Sequence, residues 1–546
     1  MTAEVVDAGD GLPLTIPELL SARATANPDG SFVVCDDDRL TYAEADERSR
    51  RLAAGLLATG TSRGAHVGLL FPNCVDFVVG WLAACRIGAV ALPFSTFSTA
   101  TELTGLLSGA DVDILLSAAS YRSHDYVRRL PEAVPGMDVV GPGTVWSPEV
   151  PTLRSVAFAD AGDIGDRVHP TRTIGHLLDA GAGIASAVLA AAEAEVSRAD
   201  PMVVVHTSGS TSAPKGVVHC HGPLIRHLDN LNQIRSIDAE VVAFAPSPWF
   251  WIGGFAFSLL GTLVAGARLV TSAAADATSV LDVIERERPS VVNGFAQSVA
   301  HLPDDPSFER RDLSSIRRGN LWPILPDDVR PADPGLRHNM LGMTETGSVC
   351  LLSPDEVDLP EHQRGSFGRP APGFGTRIVD PDTGTLCATG EVGELWLRGP
   401  FMMDGYLGRE RHETFDADGW FHTGDLFHVD AAGLHYFHGR NGMMIKTSGA
   451  NVSPLEVEAA LADVAGLRAH VVGVDSADAG QVVAAAIVAD AAVDLDELSE
   501  LLRQQLSSYK VPKRYLVMPA EDVPMMSSGK LDIQALKTMF TEGPLR

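Results

Sequence analysis

The chain has 546 residues and a formal net charge of −28, which excludes one small core and argues against nonspecific attachment to nucleic acid. Hydrophobic residues make up 45% of it and the mean hydropathy is +0.09, as for a globular protein of two or more domains. A protein this acidic binds a polyanion only through local cations, backbone N–H nests or a metal.

The amino terminus, Met1-Thr2-Ala3-Glu4, lacks the basic start and apolar stretch of a secretory leader. No uninterrupted apolar run is long enough to span a membrane. The cysteines Cys35, Cys74, Cys85, Cys220, Cys350 and Cys387 are scattered and form no CxxC pair. Neither a zinc site nor a disulfide framework is expected, so the default setting is a reducing cytoplasm.

In chain order, Leu40-Thr41-Tyr42 leads into a helical pattern from Ala43 to Leu57, with Leu52 and Leu56 four apart. Val67 to Phe71 reads as a buried strand, Val75 to Cys85 as an amphipathic helix and Ala89 to Pro93 as the next strand. This βαβ rhythm implies parallel sheets covered by helices, an α/β class. Segment 183–195 is Ala-rich and helical, and Met202 to Val205 is a short strand. The rhythm returns in Leu259–Val270 and Val280–Asn293. Between about 365 and 440 the texture changes to strand-like pieces, Thr376–Val379 and Glu394–Arg398, between Gly, Pro and Asp turns. That predicts a β-rich subdomain. A boundary near Gly439-Arg440-Asn441-Gly442 divides residues 1–440 from a small α/β unit, 441–546. In that unit Val471–Val474 and Val482–Val488 read as strands and 495–506 as a helix.

The most informative stretch is 207–216, Thr-Ser-Gly-Ser-Thr-Ser-Ala-Pro-Lys-Gly. Small residues let backbone N–H groups approach an anion, hydroxyls add donors, and Lys215 supplies a cation. Following a strand, the loop reads as a phosphate cradle. It is not the Walker A pattern, because Lys215 precedes its glycine and valines follow.

Segment 207–216 resembles the phosphate loop of the adenylate-forming superfamily, which includes acyl-CoA synthetases, luciferases and peptide-synthetase adenylation domains. Further segments resemble the same superfamily in its order: Leu341-Gly342-Met343-Thr344-Glu345, Glu394-Leu395 through Gly405-Tyr406, Trp420 to Asp425, Gly439-Arg440 with Ile445-Lys446 to Gly449, and Pro524 to Gly529-Lys530. Any one of these is weak, but together they extend the resemblance from about Leu40 to Lys530. It implies ATP, Mg2+ and CoA as the small molecules handled.

The resemblance places Thr207, Ser208, Gly209, Ser210, Thr211 and Lys215 on the β- and γ-phosphates, Thr344 near the α-phosphate and Glu345 on magnesium. It assigns Asp425 and Arg440 to the ribose, and Gly319, Leu341 and Gly342 to the nucleotide pocket. Lys530 would hold the acid's carboxylate against the α-phosphate, since one ammonium bridges two oxygens. It also implies that the C-terminal domain is mobile and rotates about Gly442, carrying Lys530 out and bringing the loop near Gly449 in to form a tunnel for the pantetheine thiol.

Several positions depart from the family pattern. Gly442 stands where Asp or Lys is usual, Met443 where Asp is frequent, Ser212 where the loop has glycine and Leu341 where an aromatic stacks on adenine. The wall commonly written Gly-Gly-Ala-Pro reads Gly319-Asn320-Leu321-Trp322. Pro248-Trp249-Phe250-Trp251-Ile252-Gly253-Gly254 resembles the segment lining the acyl pocket, with Trp251 in place of a frequent His. No acid occurs there to pair a substrate ammonium, so α-amino acids are not expected. Trp251, Gly253, Gly254, Asn320, Leu321 and Met343 are the candidate pocket residues, although these aromatics could equally fill core. His219-Cys220-His221 has metal spacing on a strand, but similar runs follow the loop in many relatives and a structural role is preferred.

The leading expectation is a standalone acid:CoA ligase acting on an apolar carboxylic acid. Loading a separate acyl carrier protein is the alternative acceptor. A non-catalytic nucleotide-binding relative is the alternative of another class, and nothing positive favours a luciferase-type oxygenase. The resemblance also admits a homodimer.

Overall fold

The computed structural model describes residues 11–159, 164–207, 214–354, 357–441, 445–447, 450–476, 480–506, 510–526 and 530–542. Two mixed sheets, largely parallel, form the body of the molecule. The first has seven strands in the order Gly405–Tyr406, Lys215–Cys220, Pro201–Thr207, Val90–Pro93, His66–Leu70, Ile114–Ser117 and Ser155–Phe158. Its last five strands run parallel, while Lys215–Cys220 is antiparallel to both of its neighbours.

The second sheet has six strands in the order Arg318–Gly319, Val291–Val292, Val242–Phe244, Arg268–Thr271, Ser31–Cys35 and Asp38–Thr41. All its pairs are parallel except Ser31–Cys35 with Asp38–Thr41. Segments 245–254, 293–295 and 320–322 therefore leave the carboxyl ends of parallel strands, the edge where open α/β sheets place ligands.

Helix Val75–Arg86 belongs to the main core because it is apolar all round; Phe77 to Arg86 are all buried. Trp81 meets Phe255 edge-on at 5.2 Å and Phe77 meets Trp249 at 5.4 Å. Arg86 survives burial because its guanidinium is satisfied: it donates to Ser49 Oγ at 2.9 Å and pairs with Asp46 and Glu193. Helix Tyr42–Ala58 starts where expected, held by a reciprocal capping box between Thr41 and Glu44.

The β-rich subdomain is an antiparallel sheet of Gly375–Val379, Gly393–Arg398, Phe421–Val429 and His435–Arg440. Beyond it lies a separate C-terminal domain. Strands Ile445–Thr447, Arg468–Ser476, Gly480–Val488 and Arg514–Met518 pack with helices Pro454–Ala465, Leu495–Gln505 and Ile533–Glu542. It has its own two apolar clusters, one around Leu461 and Leu502 and one around Leu536 and Phe540. Ser453 Oγ donates to the His438 carbonyl at 2.9 Å, tying the start of this domain to the last strand of the subdomain.

Among the described residues no single helix is long and apolar enough to cross a membrane. The helices Ile174–Gly181 and Ser186–Glu195 meet that test only jointly, bent by 105°.

Candidate active site

The loop read as a phosphate cradle connects two antiparallel strands. Thr207 and Lys215 stand opposite each other where the hairpin opens. Helix His221–Ile234 begins only after the second strand, so the loop does not lead into a helix N-terminus. Ser208, Gly209, Ser210, Thr211 and Ser212 lie outside the described residues.

Lys215 is part of a connected set. The edge strand Gly405–Tyr406 pairs with Lys215–Cys220, Tyr406 opposite Val217 and Gly405 opposite Val218. This puts the Tyr406 ring under the Lys215 ammonium, 4.9 Å from Nζ to the centroid, a cation–π distance. The Tyr406 hydroxyl donates to Glu345 Oε1 at 2.8 Å. Burial and the adjoining Glu345 carboxylate push the Tyr406 phenol well above its ordinary range, so it remains a donor. Met403 N–H donates to the Glu345 carbonyl at 2.8 Å, fixing that residue's backbone as well.

Segment 341–348 is held from both sides. Strand Leu341–Gly342 leads into the 3-10 turn Thr344–Thr346, and Thr346 Oγ1 donates to the Ser348 carbonyl at 2.7 Å. His219 Nε2 lies 2.7 Å from the Thr344 carbonyl. Burial lowers the His219 pKa to about 4, so the ring is neutral and its Nε2–H is the donor. Gly347 is required here: its φ is +69°, and an added Cβ would fall 2.6 Å from Leu224. His221 has a different partner from His219. It opens the next helix, and its Nδ1 accepts from Ile16 N–H at 3.3 Å.

Asp425 and Arg440 face each other as a cross-strand pair, with Nε 3.5 Å from Oδ1. The arginine is 60% exposed and the aspartate 16%. Asp425 N–H donates to Thr423 Oγ1 at 3.0 Å, and that hydroxyl donates to the Leu395 carbonyl at 2.7 Å. Gly424 N–H is taken by Glu394 Oε1 at 2.8 Å. Burial, chiefly, pushes the Asp425 carboxyl up to about 6; Arg440 opposes the rise, and the Glu345 and Glu394 carboxylates add to it. Asp425 thus senses the charge of Glu345, Glu394 and Arg440.

On the side expected from the sequence to take the acyl group, the backbone makes the shape. Gly254 is packed so closely that a Cβ would lie 2.1 Å from the Pro248 carbonyl oxygen. At Gly319, with φ +141°, a Cβ would lie 1.9 Å from that of Val292. Asn320 Oδ1 accepts from Gly294 N–H at 3.0 Å, joining the loops that leave two adjacent strands. Leu321 is fully buried, while Asn320 and Met343 are half-buried. The aromatic run is sorted by the structure: Trp249 and Phe250 are buried, and Trp251 is half-buried against Phe250, centroids 5.4 Å apart at 74°. From Gly253 the chain enters a π-helix to Leu260, the wider helical form that often marks functional sites.

Lys530 sits on a turn of the C-terminal domain, where Met526 N–H donates to its carbonyl at 2.7 Å. Its side chain is exposed, and among the described residues no hydrogen bond or ion pair joins it to Thr344, Glu345, Asp425 or Arg440. Gly442, expected as the hinge, lies outside the described residues with Met443 and Gly449. Sequence reasoning missed the parts of Tyr406 and Glu394 in linking the site. Both stand in a segment quoted only as a structural match, and only the strand pairing reveals what they touch.

The family model described as AMP-binding enzyme matches residues 20–407, and that of the AMP-binding enzyme C-terminal domain matches 456–530. The chain is 30% identical to 4-coumarate–CoA ligase 2 of Oryza sativa subsp. japonica, over 96% of this chain and 92% of that protein. It is 31% identical to a feruloyl-CoA synthase of an Amycolatopsis species, over 93% and 96%. Among solved structures, o-succinylbenzoate CoA synthetase of Bacillus subtilis in complex with ATP and magnesium superposes with a TM-score of 0.75 at 23% identity, covering 95% of this chain and 99% of that one. With the matched residues running from 20 to 530, the chain belongs to the AMP-binding enzyme family, alongside full-length CoA ligases.

Proposed function

We propose that this chain is an ATP-dependent acid:CoA ligase acting on a carboxylic acid with an apolar body. The observation that carries the reading is the Lys215–Tyr406–Glu345 contact beside the Asp425–Arg440 pair. It gathers cations for phosphates, a carboxylate for a metal and a carboxylate for a sugar diol in one region of a family whose members bind AMP.

In the first step a carboxylate oxygen attacks the α-phosphorus of ATP, the bond to the β-phosphate oxygen breaks, and pyrophosphate leaves. Both reactants are anions, so donors and cations must neutralise charge as the crowded phosphorus forms. Residues Thr207 to Thr211 and Lys215 hold the departing phosphates, and Thr344 lies by the α-phosphate. Lys530 brings the attacking carboxylate to it. Asp425 accepts from the ribose hydroxyls with Arg440 beside it. Gly319, Leu341 and Gly342 border the base, and Leu341 packs on it as an aliphatic face.

In the second step the CoA thiol attacks the acyl carbon, AMP leaves and the thiol proton passes to water. For this step the domain from residue 441 turns about Gly442, withdrawing Lys530 and presenting the loop at Gly449. Trp251, Gly253, Gly254, Asn320, Leu321 and Met343 bound the acyl group.

Among the described residues no three of His, Cys, Asp and Glu converge as a metal cage. Magnesium needs none, since it keeps waters and takes phosphate oxygens alongside one or two carboxylates. Glu345, held by Tyr406 and facing the field of Asp425, fits that part. When bound, the ion supplies charge neutralisation on the phosphates.

The test is a screen of carboxylic acids by pyrophosphate release, repeated with and without CoA. Pyrophosphate with an acid, and acyl-CoA on adding CoA, are expected. Release that yields thioester only with a holo carrier protein would replace CoA as acceptor, and background release with every acid would overturn the ligase reading.

A further inference from the structure

The strand Gly405–Tyr406 continues into a turn that lies against the end of the candidate phosphate loop. Asp404 N–H donates to the Val218 carbonyl at 2.9 Å, and Leu407 N–H to the Gly216 carbonyl at 2.8 Å. The approach at Gly216 is close: an added Cβ would fall 2.8 Å from a Val204 methyl and 3.2 Å from the Leu407 Cβ. The turn closes where Arg409 N–H donates to the Tyr406 carbonyl at 3.1 Å, with Gly408 at a φ of +73°.

This backbone sets the Arg409 side chain beside Lys215. Its guanidinium carbon is 5.8 Å from the centroid of the Tyr406 ring, the same ring that lies 4.9 Å from Lys215 Nζ. One ring thus gathers two cations, whose separation is at most those two steps together. A diphosphate with a donor at each end can bridge such a gap. Arg409 and Arg440 both oppose the rise of the Tyr406 phenol, so Arg409 shares the field of Glu345 and Arg440.

Arg409 is exposed, and among the described residues its side chain makes no hydrogen bond or ion pair. The acids that follow it are engaged elsewhere. Glu410 and Glu413 each accept from the other's backbone N–H in a reciprocal capping box. In a chain of net charge −28, an arginine left without a carboxylate at this place is set apart.

We infer that Arg409 is a second cation for the β- and γ-phosphates of ATP, receiving the pyrophosphate together with Lys215 as the bond from the α-phosphorus to the bridging oxygen breaks. This rests on the ligase reading and adds a residue to its phosphate site. A pyrophosphate leaving group carries several negative charges. Lys215 and a magnesium ion offset part of them, and the Glu345 carboxylate cancels some of the ion's share. A further side-chain cation closes that deficit. The guanidinium also supplies what the Lys215 ammonium lacks, a planar pair of N–H donors that matches phosphate oxygens. Tyr406 then sets both halves of the phosphate site, the two cations through its ring and Glu345 through its hydroxyl.

The experiment measures the affinities of ATP, AMP and inorganic pyrophosphate by titration calorimetry, with magnesium present, for the wild type, Arg409→Gln and the charge-retaining Arg409→Lys. Thermal midpoints check that the variants fold. Arg409→Gln is expected to weaken ATP and pyrophosphate about tenfold to a hundredfold, the worth of a hydrogen bond to a charged group, and to change AMP less than about twofold. Arg409→Lys is expected to recover part of the loss. Thioester formation from a supplied acyl-adenylate, which contains no pyrophosphate, is expected to stay close to wild type. Equal losses for ATP and AMP, or unchanged affinities for ATP and pyrophosphate, overturn the assignment of Arg409 and leave the ligase reading standing. The ligase reading fails separately: it falls if the wild type releases pyrophosphate with no acid, whereas a selective loss of ATP and pyrophosphate binding in Arg409→Gln still assigns Arg409 to the phosphates.

Discussion

The proposed nucleotide side and the proposed acyl side of the site are built by different means. On the nucleotide side, side chains reach the site from strands in fixed register: Lys215 and Tyr406 from one sheet, Asp425 and Arg440 from the β-rich subdomain, with Glu345 tied between them. On the acyl side, the shape comes from backbones in near contact at Gly254 and Gly319. Side-chain function can be removed without harming the fold, whereas close backbone approaches fail structurally. The nucleotide side should therefore yield catalytic defects with normal stability, and the acyl side unstable proteins.

The sharpest break between the two comes from Lys530→Ala. Acyl-adenylate formation is expected to fall about a hundredfold to a thousandfold, as when one preorganised charge contact is lost from a transition state. ATP affinity, thermal midpoint and thioester formation from a supplied acyl-adenylate are expected to stay close to wild type. An equal loss in both half-reactions contradicts the role given to Lys530.

Gly319→Ala is the acyl-side counterpart. Its Cβ would sit 1.9 Å from the Val292 carbonyl oxygen at a φ of +141°. We expect a loss of about 2–4 kcal/mol in chemical denaturation, in the range of backbone-strain and overpacking penalties. An unchanged midpoint would mean that this wall yields.

Asp425 offers a comparison by pH. An ionised carboxylate is needed to accept from a diol, and this one titrates at about 6. KM for ATP is expected to rise, by up to about tenfold per unit, as pH falls through that value, and Asp425→Asn is expected to flatten the profile. The effect on stability has the opposite sense. Because the folded pKa is raised, ionising Asp425 costs stability as pH rises from about 4 through about 6. The Asn variant should lose that part of the pH dependence in its denaturation midpoint.

The smallest effect is expected from Tyr406→Phe, which removes the hydroxyl bonded to Glu345 and keeps the ring under Lys215. A drop of about threefold to tenfold in kcat/KM for ATP is in keeping with one hydrogen bond to a charged group. It should leave the denaturation midpoint within about 1 kcal/mol, in line with the other nucleotide-side variants.

Much of the fold was legible because apolar runs and their periods mark buried strands and helices. The helix expected over 43–57 spans Tyr42–Ala58, and the strand expected over 67–71 spans His66–Leu70. What was not legible was pairing. Nothing in Val217-Val218 announces that the chain returns antiparallel on Pro201–Thr207, or that a two-residue strand at Gly405–Tyr406 brings a tyrosine onto Lys215. Motif order pointed to Lys215, Glu345, Asp425 and Arg440, because charge chemistry restricts residue types. Motif order could not sort Trp249 and Phe250, which fill core, from the half-buried Trp251.

The central claim, that a carboxylate displaces pyrophosphate from ATP, is tested most directly with an acid labelled with heavy oxygen in its carboxyl group. The enzyme, ATP, magnesium, CoA and the labelled acid are incubated, and the AMP is analysed by mass spectrometry. Attack of the carboxylate on the α-phosphorus, followed by thiolysis, leaves one labelled oxygen on AMP for each acyl-CoA formed. Acyl-CoA formed with unlabelled AMP, or with the label on inorganic phosphate, would contradict the account.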